Sequence, residues 1–147
     1  MGEKNKDKNR SATIIPYNDG IILMHRIKGY GEERQEYYTI PGGRQEENET
    51  MEETAVREIK EELGINIELT DDVYIINNGH ITEYFYIAKY ISGKIGTGQG
   101  EEMVDIDYDK YGAYNPMIVK KEDIKDINLL PVEIKEIILR DMGIIFT

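Results

Sequence analysis

Apolar positions recur along this chain with two different periods, and the changes between them mark out its elements. Residues 13–17 and 21–27 are rich in β-branched and aliphatic side chains, and Asp19-Gly20 between them is a tight-turn signal, so the chain is expected to open as a hairpin. Residues 28–36 are polar, contain Gly29 and Gly31, and read as a loop. A strand over 37–40 is then stopped by Pro41-Gly42-Gly43. Beyond it the period lengthens: Ala55, Val56, Ile59 and Leu63 fall on one stripe of a helix. Thr50 is placed to cap that helix, with Glu53 completing a capping box. Gly64 is placed to end it in the left-handed region.

Strand-like alternation returns at Ile65, Ile67 and Leu69, and strands over 73–76 and 81–91 flank the turn signal Asn78-Gly79. Residues 93–100 form a glycine-rich loop, 101–111 are acidic and irregular, and 114–119 read as a short strand. Pro131 suits a first helical position, and Ile134, Ile137, Ile138 and Leu139 give the segment after it an apolar face. The order of elements predicts an α/β domain, a mixed sheet with helices on its faces.

Length and charge narrow the picture. The 147 residues fit one domain, residues 11–147, behind a polar lead-in, residues 1–10, that is expected to be mobile. That lead-in has no apolar stretch to serve as a secretory signal, and no run is long and apolar enough to span a bilayer. Lys6 stands where a myristoylation signal at Gly2 needs Ser or Thr. A cytoplasmic protein without a membrane partner is therefore expected. There is no cysteine, which excludes disulfides, thiolate metal sites and a cysteine nucleophile. The net charge of -11 repels a nucleic-acid backbone, so long DNA or RNA is not an expected partner. Small phosphorylated ligands stay compatible, because a divalent cation joins an anionic ligand to an acidic site. The oligomeric state is not legible; a homodimer is one option.

The candidate chemistry sits on the central helix. Glu58 and Glu62 are one turn apart and share a face, and Glu61 flanks them. By the same wheel the apolar stripe lies about a third of a turn away, so the carboxylates are expected along its edge rather than in the core. A solvated acidic face is the ordinary meaning of such residues. The alternative is a hard divalent cation, since Mg²⁺ or Mn²⁺ prefers oxygen ligands. Two neighbours favour the second reading. The glycines at 42 and 43 let backbone approach a metal closely. Arg57 on the helix and Glu49 before it are spaced to pair and to fix the loop against the helix.

From Gly43 the chain reads G-RQEEN-E-TMEETAV-R-E-I-K-E-E-L-G-I. This resembles the Nudix box, G-x5-E-x7-R-E-U-x-E-E-x-G-U with U aliphatic. All specified positions are filled: Gly43, Glu49, Arg57, Glu58, Ile59, Glu61, Glu62, Gly64 and Ile65. The resemblance implies an α/β/α sandwich and a metal-dependent hydrolase (MutT-like pyrophosphatase) that cleaves a phosphoanhydride bond of a nucleoside diphosphate linked to another group X. It further implies Mg²⁺ or Mn²⁺ as cofactor, a nucleoside triphosphate or nucleotide sugar as substrate, and Glu58 and Glu62 as principal metal ligands. Glu61 and the Gly43 carbonyl would join them, with Arg57 and Glu49 orienting the loop and helix. A non-catalytic nucleotide-sensing module on the same fold is the competing reading, since fold alone does not fix function.

Such hydrolysis requires a carboxylate to take the proton from water. Either a box glutamate or Glu101 or Glu102, which follow a glycine-rich loop, is a candidate base. Arg26 is a candidate for the substrate phosphates, and Tyr38 and Tyr114 for stacking on a base. Two weaker signals fail. Asp105, Asp107 and Asp109 begin like a calcium loop, but Lys110 and Pro116 replace its glycine and final glutamate. The glycines of 96–100 are followed by no lysine and lie in no βαβ context, so they make neither a P-loop nor a dinucleotide fingerprint.

Overall fold

A computed structural model describes residues 9–96 and 113–146. The strands are β1 (Asn9–Ile14), β2 (Pro16–Tyr17), β3 (Gly20–Lys28), β4 (Gln35–Thr39), β5 (Gly42–Arg44), β6 (Ile65–Asn77), β7 (Thr82–Gly93), β8 (Ala113–Lys120) and β9 (Leu129–Leu130). The helices are α1 (Met51–Leu63), α2 (Val132–Arg140) and α3 (Met142–Ile145). Asn9 and Arg10 belong to β1, within the stretch read from sequence as a lead-in. No helix among the described residues is long and apolar enough to cross a membrane.

The expected mixed sheet is two mixed sheets. One runs β5-β1-β7-β6, with β1 and β7 parallel. The other runs β2-β3-β4-β9, with β8 paired to the free side of β3 and β4 parallel to β9. The opening hairpin is therefore smaller than predicted. The run 13–17 breaks after Ile14: β1 joins the first sheet, and only β2 returns along β3. The turn also lies one residue earlier than expected. Asn18 and Asp19 take φ of 49° and 64°, the two positive values of a primed hairpin turn. Gly20 begins β3, where a Cβ would lie 2.3 Å from the Val119 carbonyl oxygen. Glycine is needed there for close approach rather than for the turn.

Pro41-Gly42-Gly43 ends β4 as predicted, but its glycines then form β5, antiparallel to β1 with Ser11 opposite Gly43 and Ala12 opposite Gly42. The strands expected over 65–69 and 73–76 are one strand, β6, with an irregular register between Leu69 and Val73. There the Thr70 hydroxyl donates to the Ile87 carbonyl and accepts from the Asp72 amide, so side-chain bonds replace part of the ladder.

Side-chain alternation splits the interior into two cores. On one side, Ala12 and Ile14 of β1, Ile21 and Leu23 of β3, and Phe85 and Ile87 of β7 pack with Ile134 and Ile138 of α2. On the other, Ile15, Ile22, Met24, Ile65, Ile67 and Ala88 pack with Ile59 and Leu63 of α1. The result is an α/β/α sandwich. The predicted faces need two adjustments. Val56 is exposed, whereas Thr54, Ala55, Ile59, Glu62 and Leu63 are buried. On α2, Ile134 and Ile138 are buried and Leu139 is exposed.

Candidate active site

Local sequence sets α1 firmly. The Thr50 side chain accepts from the Glu53 amide at 3.0 Å, and the Glu53 carboxylate accepts from the Thr50 amide at 2.9 Å, which completes the capping box. At the other end Gly64 takes φ of 78° and its amide reaches the Lys60 carbonyl. The Ser11 hydroxyl on β1 donates to the Met51 carbonyl, anchoring the helix start to the sheet.

Arg57 organises the acidic face. Its Nε and Nη2 donate to the two oxygens of Glu49 at 2.5 and 3.1 Å, a bidentate pair, and Nη2 also donates to the Arg44 carbonyl at 3.0 Å. Its Nη1 reaches Glu58 at 3.1 Å and Glu61 at 3.2 Å. One guanidinium thus ties β5, the loop after it and α1 together. Glu49 is further held by the Thr54 hydroxyl at 2.8 Å and the Glu46 amide at 3.0 Å. The hydrogen bond from Arg57 is the largest cause that holds the Glu49 carboxyl down at about 2. The same pairing raises Arg57 above the ordinary arginine value.

The three box glutamates have different surroundings. Glu61 is half exposed. Glu58 is largely covered, and burial raises its carboxyl above the usual range against the opposing pull of Arg57. Its carboxyl group lies against the backbone of Gly43, where a Cβ would fall 2.2 Å from the Glu58 Cδ. Glu62 is buried at 6% exposure rather than at the edge of the stripe. Its Oε1 accepts from the Gly42 amide at 3.2 Å and its Oε2 from the Tyr114 hydroxyl.

Tyr114 brings Arg26 into the same neighbourhood. Arg26 stands opposite Tyr114 across β3–β8 and opposite Tyr37 across β3–β4. Its guanidinium carbon lies 4.3 Å from the Tyr114 ring centre and 5.8 Å from that of Tyr37. Tyr38 does not join them. It lies on the opposite face, its ring tilted against that of His25 at 4.8 Å between centres and packed against the α2-side core. Tyr37 is the tyrosine beside Arg26. Alternation in the sequence shows that Tyr37 and Tyr38 face opposite ways but cannot say which faces the site. Glu101 and Glu102 lie outside the described residues.

The NUDIX domain family model matches residues 7–130, most of the chain and all of the box. The chain belongs to the Nudix family. Its fold is similar to that of a NUDIX hydrolase from Nitrosomonas europaea, with TM-score 0.66 at 20% identity over 93% of this chain and 70% of that one. A NUDIX-family hydrolase from Clostridium perfringens gives TM-score 0.65 at 19% identity, over 93% and 97% of the two chains. MutT, from a study of the Aliivibrio salmonicida and Vibrio cholerae proteins, gives 0.56 at 17% identity, over 92% and 96%. A search of curated proteins finds no match. With the family's box complete, this Nudix domain is a pyrophosphohydrolase of that type.

Nudix hydrolases use divalent metal ions, and the acidic residues here fit one by chemistry. They offer hard oxygen donors, and the absent Cβ of Gly43 leaves the space taken by the Glu58 carboxyl. The convergence expected from sequence is not preformed, however. Among the described residues no three acidic or histidine side chains make a ready metal cage. Glu58 and Glu61 lean onto Arg57 instead, and Glu62 onto Gly42 and Tyr114. Donors on α1, β5 and β8 decide those rotamers, and helical spacing does not report them.

Proposed function

We propose that this Nudix hydrolase is Mg²⁺- or Mn²⁺-dependent and cleaves a phosphoanhydride bond in a nucleoside diphosphate linked to a group X, of the nucleoside triphosphate or nucleotide-sugar class. The observation that carries this reading is Glu62: a carboxylate kept at 6% exposure, one turn from the covered Glu58 and beside the two glycines of β5. Burying a carboxylate is costly unless hydrogen bonds or a metal compensate it. A fold that needed only stability would place an apolar residue there.

In this reading Glu58 and Glu62 hold the cation, and Glu61 and the Gly43 carbonyl complete its protein ligands. When bound, the metal neutralises phosphate oxygens and lowers the pKa of water. Arg57 and Glu49 keep the loop and helix in register so that the donors stay aligned. Arg26 supplies a positive charge to the phosphate chain, matching charge that develops on the phosphoryl oxygens. Proton removal from the attacking water falls to a carboxylate, with Glu61 on the helix and Glu101 and Glu102 on the downstream segment as the candidates. Retention of all three box glutamates favours turnover over nucleotide sensing.

The test is a panel of nucleoside triphosphates, nucleotide sugars, ADP-ribose-like compounds and dinucleoside polyphosphates, read by phosphate release and product mass. Turnover of at least one class is expected with Mg²⁺ or Mn²⁺, and its loss in EDTA. Glu58→Gln should lower the rate by about a hundredfold or more. Undiminished turnover in EDTA, or by the Glu58→Gln protein, would sink the metal assignment.

A further inference from the structure

We propose that Tyr114 is a positioning residue with two ends, its hydroxyl setting the rotamer of Glu62 and its ring carrying the guanidinium of Arg26. One side chain would then set the spacing between the metal-binding and phosphate-binding parts of the site. The proposal rests on the reading of Glu62 as a metal ligand and Arg26 as a phosphate-binding group.

The geometry supports each end separately. Tyr114 lies on β8, far from the box in sequence, yet its hydroxyl donates to Glu62 Oε2. The other oxygen of Glu62 accepts from the Gly42 amide at 3.2 Å. A donor to each oxygen holds the carboxylate plane. Bonds of this kind to a ligating carboxylate orient it for the metal. At the other end, the guanidinium carbon of Arg26 sits 4.3 Å from the Tyr114 ring centre, within range of a cation–π contact. Its Nε is buried and has no hydrogen-bond partner among the described residues. Tyr37 flanks Arg26 at 5.8 Å, so the arginine lies between two rings on neighbouring strands.

The two ends are separable by substitution. Tyr114→Phe keeps the ring and removes the hydroxyl; Tyr114→Leu removes both. The full-length proteins, with Glu62→Gln as control, would be titrated with Mn²⁺ by calorimetry in the absence of nucleotide. KM and kcat would then be measured at saturating Mn²⁺ on the best substrate of the panel, with circular dichroism as a check of folding. Tyr114→Phe is expected to weaken Mn²⁺ binding about tenfold and to leave KM within about twofold. Tyr114→Leu is expected to weaken Mn²⁺ binding equally and to raise KM about fivefold as Arg26 loses its support. Wild-type Mn²⁺ affinity in Tyr114→Phe overturns the role of the hydroxyl. An unchanged KM in a folded Tyr114→Leu overturns the role of the ring, and if that variant does not fold, the Phe variant still decides the first. The control separates two kinds of failure. Normal Mn²⁺ binding by Glu62→Gln removes the metal reading itself, whereas loss in Glu62→Gln with none in Tyr114→Phe removes Tyr114 alone.

Discussion

The two cores of the sandwich are built on different terms. The α2-side core is apolar throughout its buried set, from Ala12 and Phe85 to Ile134 and Ile138. On the α1 side, Ile59 and Leu63 share the interior with polar groups. The described buried polar residues, Ser11, Thr13, Thr54 and Glu62, all belong to this side. Ser11 and Thr54 are hydrogen-bonded to the helix start and the box loop, Glu62 to β5 and β8. The contrast assigns labour. One face supplies burial energy without directional demands, and the other gives up part of that energy to hold charges in fixed places beside a glycine-bent strand. Local consistency gives way at the proposed site and is kept elsewhere.

The largest expected effect tests that division directly. Glu62→Gln should reduce turnover by about a hundredfold or more while leaving the thermal midpoint nearly unchanged. Ile138→Ala, at a site with 0% exposure, should cost about 2–5 kcal/mol of stability and leave kcat of the folded protein intact. Denaturant melts and kinetics on both variants check the pair; if Glu62→Gln unfolds the protein as much as Ile138→Ala does, the two faces are not distinct in role.

A medium effect comes from pH. Glu49 is held down to about 2 against an ordinary 4.5, first by its hydrogen bond from Arg57. The unfolded chain binds the proton more readily, so the stability from this pair is complete above about pH 4.5 and is lost as pH falls toward about 2. Glu58, raised by burial, acts with the opposite sign above the ordinary carboxylate range: its contribution falls as pH rises. Thermal midpoints of wild type and Glu49→Gln should converge on acidification through the lower window. Parallel curves would show that the Glu49–Arg57 pair does not carry this dependence.

The smallest expected effect concerns Thr13, whose buried hydroxyl has no hydrogen-bond partner among the described residues. Thr13→Val should be neutral or stabilise by up to about 1 kcal/mol, because a desolvated hydroxyl is removed at similar shape. A clear loss of stability in a chemical melt would mean that the hydroxyl is paired through water.

How much of this was legible in the chain follows the range of each interaction. The cap of α1 by Thr50 and Glu53, its end at Gly64 and the Asn78-Gly79 turn depend on bonds between residues a few positions apart, and they appear where the pattern puts them. The Arg57–Glu49 pair was readable because one helix and its lead-in loop contain both partners. Long-range choices were not. The break after Ile14 that sends β1 and β2 to different sheets has one mark, Pro16 within the apolar run, and a proline does not say which sheet each half joins. The phase of β4, which turns Tyr37 toward Arg26 and Tyr38 away, depends on which side of the sheet α1 covers.

The sequence by itself determined the class of chemistry, because the box compresses its glycines, arginine and glutamates into one short strand, one loop and one helix that follow each other in the chain. Tertiary structure alone decided that Glu62 is buried while Glu61 is half exposed, and that Tyr114 from β8 reaches the former. The physical reason is that helical spacing fixes where a side chain leaves its own backbone. Which neighbours desolvate it or donate to it is settled by strands distant in sequence.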